Sequence, residues 1–139
     1  MNAGPELDAK VAEALELPGL GWRKRVSCYH GETTYCGEGD VTEDYPSWKA
    51  SLQYEVKPGL FHVVPSYSTD IAAAWELVEK MIEEGYNHPL IRYDTLRADD
   101  AAKWTVAVSD DQEGWRGDAH TAPHAIVLAF LKAKGIDCG

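Results

Sequence analysis

Arg23, Lys24 and Arg25 form the one dense basic run in a chain of formal net charge −10. Planar guanidinium groups grip phosphate through paired N–H donors, and Trp22, Tyr29 or Tyr67 could stack on a base beside them. A solvated strand face pairing with nearby acids would use the same residues without a ligand. A second candidate is Tyr67-Ser68-Thr69-Asp70, which places hydroxyls and free backbone amides at the start of an expected helix. Such an arrangement can receive an anion. Simple capping accounts for the same residues, and Asp70 would repel an anion entering that space. The expected ligand-binding set is Trp22, Arg23, Arg25, Tyr67, Ser68 and Thr69.

Cys28, His30 and Cys36 give the spacing C-x-H-x5-C, with Cys138 available as a fourth ligand. Structural zinc sites use tighter paired spacing, so no metal is expected and the thiols are read as free. Three cysteines are an odd number and too few for a disulfide framework. Asp118, His120 and His124 offer another cluster, but Thr121 reads as a helix cap, so the two histidines need not share a face. They are expected at the surface. No nucleophile elbow, zincin helix, phosphate loop or dinucleotide fingerprint occurs, so no catalytic residue and no cofactor is assigned.

These residues must be positioned by elements that the periodicity outlines. Leu7, Val11, Ala14 and Leu15 share a helical face, predicting a helix over 5–16 that Pro5 starts and Leu17-Pro18-Gly19 stops. Period-two alternation from Trp22 to Tyr29 predicts a strand with Trp22, Val26 and Cys28 on one side and a basic outer face carrying Arg23 and Arg25. Residues 30–47 hold three glycines, a proline and five acids and read as a surface loop. Leu52, Tyr54 and Val56, the Pro58-Gly59 turn and the run Leu60–Val64 predict a β-hairpin ended by Pro65.

The strongest helix runs over 70–84, where Ile71, Ala74, Trp75, Val78, Met81 and Ile82 form a stripe expected to bury on a sheet. Ser68 or Thr69 would cap it and Gly85 would close it. Residues 90–93 and 104–108 read as strands, with Trp104, Val106 and Val108 on one face. Residues 114–118 read as a turn. A last helix starts at Thr121, with Pro123 in its first turn, Ile126, Ala129, Phe130 and Ala133 buried, and Gly135 at its end. The order predicts an α+β fold, a layered sandwich of helices packed on a mainly antiparallel central sheet.

At 139 residues and 45% hydrophobic content, the chain suits a single domain over 1–139 with one core. The net charge, with a sequence pI near 4.8, opposes the attraction that drives generic binding to DNA or RNA, so no nucleic-acid partner is expected. No run of about 18 apolar residues is available to span a bilayer, and MNAGPELDAK lacks the pattern of a signal peptide. No membrane association and a cytoplasmic location are therefore expected.

Three segments in this order resemble the phage ABA-sandwich domain family: Glu6–Glu13 followed by Gly21-Trp22, then Pro65–Lys80, then Thr121–Ala133. The most specific is Tyr67-Ser68-Thr69-Asp70-Ile71 ahead of an alanine-rich helix that contains Trp75. The resemblance implies a phage or prophage origin and a sandwich of helices about a sheet. Residues 28–63 depart from it as a longer, irregular insertion, and Val127-Leu128 stands where related chains often carry Cys-Arg.

By analogy with small phage proteins, the expected function is counter-defence: binding and sequestering a small phosphate-bearing, nucleotide-derived host immune signal, without catalysis, as a homo-oligomer in the host cytoplasm. The alternatives are an accessory or structural phage protein acting through a protein surface, DNA mimicry included, and a hydrolase of a signal nucleotide.

Overall fold

The computed structural model describes residues 2–24, 50–94 and 104–136. Among them the order is α1 (Pro5–Ala14), β1 (Gly21–Lys24), β2 (Ala50–Lys57), β3 (Leu60–Val63), α2 (Ile71–Glu83), β4 (Leu90–Tyr93), β5 (Trp104–Ser109), β6 (Gly114–Ala119) and α3 (Ala122–Ala133). The fold is α+β, with every strand pairing antiparallel as expected. The strands divide between two three-stranded sheets, β1-β2-β3 and β4-β5-β6. The described residues fall into two compact units, one built from 2–14, 66–94 and 104–136, the other from 15–24 and 50–65.

In the first unit, α3 lies on the face of the β4-β5-β6 sheet formed by alternate residues. Val106 and Val108 of β5 and Ala119 of β6 are buried there, as are Ile126, Val127, Phe130 and Leu131 of α3. Residues 114–118, expected as a turn, are strand β6 instead. Two glycines and a charged pair suggest a turn in sequence, yet Trp115, Gly117 and Ala119 point inward at period two. Gly117 has a steric role: a Cβ there would sit 2.3 Å from the Ala125 carbonyl oxygen and 2.6 Å from the Ala129 nitrogen. A glycine in a strand often marks such a close backbone approach.

Helix α2 packs chiefly on α3, not on the sheet. Its buried row is Ala73, Ala74, Leu77, Val78 and Met81. Ile71, Trp75 and Ile82, expected to be buried, are 51%, 44% and 39% exposed. The apolar arc is wider than a single contact needs, and α3 takes the row through Leu77 and Met81. Asp70, rather than Ser68 or Thr69, is the N-cap, its carboxylate accepting from the Ala72 amide at 3.0 Å. At the far ends of α2 and α3, Gly85 and Gly135 take φ of 99° and 74°, the left-handed closing conformation expected of them.

Helix α1 buries Leu7, Val11 and Ala12 and makes contact with α3. Asp8, in the first turn of α1, is itself buried, and its Oδ1 accepts from the Ser68 amide at 2.8 Å. The Gly4 amide donates to Ser68 Oγ at 2.8 Å, and that hydroxyl lies 3.4 Å from the Gly4 carbonyl, to which it donates. These bonds tie the start of α1 to the turn before α2. Asp8→Ala would leave the Ser68 amide buried without its acceptor. We expect it to lower stability by about 1–3 kcal/mol, measured by urea unfolding.

In the second unit, β2 reverses the expected polarity. Ser51 and Gln53 are the buried side chains, whereas Leu52 and Tyr54 are half-buried and Val56 is exposed. Gln53 Nε2 donates to Ser51 Oγ at 3.0 Å, so the buried face carries its own polar contact. Register puts Gly21, Arg23, Val63 and Phe61 on this face as well, and Trp22 and His62 on the other. The hairpin β2–β3 turns at Pro58-Gly59 as expected.

Candidate functional site

The six expected ligand-binding residues do not form one described cluster. Arg25 lies outside the described residues, as do Tyr29, Cys28, His30, Cys36 and Cys138. Arg23 sits on the more buried face of its sheet rather than on a basic outer face. Its guanidinium carbon is 3.9 Å from the centroid of the Phe61 ring, and Nη1 donates to the Gln53 carbonyl at 3.2 Å. The strand uses this arginine to cover its neighbour and satisfy a backbone acceptor. Trp22, expected on the inner side, is 50% exposed and lies beside Leu52 in register. An exposed indole there can stack on a planar group.

In the other unit, Tyr67 and Ser68 are buried, and Ser68 spends both its amide and its hydroxyl on α1. Thr69 is exposed, with Oγ1 3.5 Å from the Ser66 carbonyl, to which it donates. Asp70 occupies the free amide end of α2. The turn that looked like an anion cradle therefore serves as a cap and a clasp. Near α3, His120 is exposed and Asp118 is engaged by Arg116 and Thr105. Among the described residues no three metal-ligating side chains come together.

A different basic site arises on the outer face of the β4-β5-β6 sheet. Strand alternation that turns Ile91, Val106 and Gly117 toward α3 turns Leu90, Arg92, Thr105, Ala107, Arg116 and Asp118 outward. Register aligns Arg92 with Thr105 and Asp118, and Leu90 with Ala107 and Arg116, so the two arginines stand diagonally across the middle strand. Leu90, Arg92, Thr105, Ala107 and Arg116 line a cleft of about 100 Å³.

The two cations are held differently. Arg116 Nε donates to both carboxylate oxygens of Asp118 at 3.0 Å, and Thr105 Oγ1 donates to Asp118 Oδ1 at 2.7 Å. That grip fixes the guanidinium by its inner edge and leaves its terminal nitrogens for an acceptor. Lys132 Nζ donates to the Arg116 carbonyl at 2.8 Å, anchoring the strand to α3. Arg92 is exposed and makes no ion pair with the described residues. Among the described residues at the cleft, Asp118 offsets one of the two positive charges.

Sequence reasoning missed this pair because the arginines are 24 positions apart and neither belongs to a motif. Their only signal is alternation: Leu-Ile-Arg-Tyr and Trp-Arg-Gly-Asp-Ala each put arginine opposite an inward residue. Reading Gly114–Asp118 as a turn hid the second.

No functionally curated protein matches the chain. Among solved structures, it is similar to the crystal structure of a phage protein from Bacillus cereus ATCC 14579. The two share 20% identity with a TM-score of 0.59, over all of this chain and 95% of that one, which is a likeness of fold. The phage ABA sandwich domain model matches residues 20–131, most of the length, and takes in α2, both sheets and all but the last two residues of α3. The chain belongs to the phage ABA sandwich domain family.

Proposed function

We propose that this phage-family protein binds a small phosphate-bearing ligand reversibly and without catalysis, and that its role is counter-defence by sequestering a nucleotide-derived host signal. The observation that carries the binding reading is the pair Arg92 and Arg116 at one cleft, with Arg116 pre-oriented by Asp118. Charge-assisted, geometrically fixed donors are the groups that hold a phosphate. The acidic surface elsewhere does not forbid this, because salt confines its repulsion to about 8 Å at physiological ionic strength. The cleft is small and open to solvent, so it would hold the phosphate end of such a ligand. A neighbouring copy in a homo-oligomer would supply the remaining wall.

Titration calorimetry with ADP tests the binding, and native mass spectrometry after incubation with lysate from cells with active nucleotide-signalling defences tests the role. We expect Arg92→Ala with Arg116→Ala to weaken ADP binding at least about tenfold, since each charge-assisted hydrogen bond contributes about 1.5–3 kcal/mol. The fold should be unchanged by circular dichroism. Undiminished binding by the double variant would remove this cleft from the site. Recovery of a chemically altered ligand would favour the hydrolase reading instead.

A further inference from the structure

We propose that the exposed row of α2 is a docking seam for a basic amphipathic helix of a partner protein. Ile71, Trp75 and Ile82 follow one another at spacings of four and seven, which places them on one heptad seam of the kind by which one helix receives another. They lie on a strip spanning about 40° of the helix circumference and about 16 Å of its length. Val78, between them on the same side, already belongs to the buried row of α2, and Ile71, Trp75 and Ile82 keep 51%, 44% and 39% of their surface in water. A tryptophan centred between two isoleucines is the composition of an interface anchor, and scattered single apolar residues would not fall on one seam.

The flanks say what kind of helix fits. One flank is Ala74 and Met81, already packed into the protein. The other carries Glu79 beside the seam and Glu76 and Glu83 just beyond it, all exposed and without ion pairs to described residues. Lys80 is the only base of α2 and lies on the far side of these acids. Residues flanking a helical seam set partner choice through charge. A helix with lysine or arginine beside its own apolar row is therefore attracted. A second copy of α2 would bring Glu79 and Glu83 against like charge in a chain that already carries −10.

The test uses the full chain and two synthetic helical peptides with the same leucine seam, one flanked by lysine and one by glutamate. Fluorescence anisotropy should show the lysine peptide binding and the glutamate peptide at least about tenfold weaker, with the preference falling as salt rises. Trp75→Ser should abolish binding yet melt close to the parent. Glu79→Lys with Glu83→Lys should reverse the preference between the peptides. Equal binding of both peptides, or binding of neither, would overturn the proposal. So would melting of Trp75→Ser as low as that of a core variant. Sedimentation showing self-association that Trp75→Ser removes would make the occupant a second copy and overturn it too.

Discussion

Phe130→Ala is expected to lower stability by about 3–5 kcal/mol, a large part of the 5–15 kcal/mol that holds a typical domain folded. Phe130 is fully buried in α3, the helix on which β5, β6, α1 and α2 all pack. Removing its ring empties a fully buried position and leaves a cavity at the helix around which the unit packs. Urea unfolding followed by tryptophan fluorescence measures the loss. A midpoint that barely moves would mean that α3 is not the centre of the unit.

Gly117→Ala should destabilise by about 3 kcal/mol or more, beyond what overpacking by one methyl group costs elsewhere. The added carbon meets backbone, the Ala125 carbonyl and the Ala129 amide, and not the end of a flexible side chain. Relief requires α3 to lift from β6, which strips cover from Val106 and Val108 as well. Thermal unfolding of Gly117→Ala beside Gly114→Ala distinguishes the cause. Position 114 has open contacts of 3.8 Å or longer and should tolerate alanine far better.

The elements that sequence marked clearly are those whose local pattern and tertiary role agree. Helix α3 has its proline in the first turn, Thr121 at the cap position and glycine just beyond its end, and β5 shows strict alternation through Val106 and Val108. Disagreement arose where a pattern was legible but its partner was not. The apolar arc of α2 is broad enough to support two different buried rows, and only the position of α3 selects Leu77 and Met81 over Ile71 and Trp75. In β2 the apolar set Leu52, Tyr54 and Val56 was visible, but the side covered in the fold is that of Ser51 and Gln53. Strand β6 was lost because glycine signals a turn locally and a close helix contact globally. The site followed the same logic. Ser68 is the type of residue that binds anions, yet its neighbours Gly4 and Asp8 are 64 and 60 positions away, and no local pattern announces them. Arg92 and Arg116 meet only through strand register.

The clasp between α1 and Ser68, and the contact of α1 with α3, bear on how the protein emerges from the ribosome. Residues 5–14 are made first, but the groups that bury Asp8 and accept the Gly4 amide's hydrogen come after residue 65, and α3 comes after residue 121. At about 5–20 residues per second, α1 spends several seconds without its packing partners. An isolated helix of ten residues is marginal in water, so α1 should stay largely uncoiled during that wait. Strands β1, β2 and β3 complete their pairing within residues 21–63 and can form well before the first unit closes. Assembly of the first unit is thus a late event that recruits an early segment, and amide-exchange pulse labelling should find α1 protected only once α3 is free to pack on it.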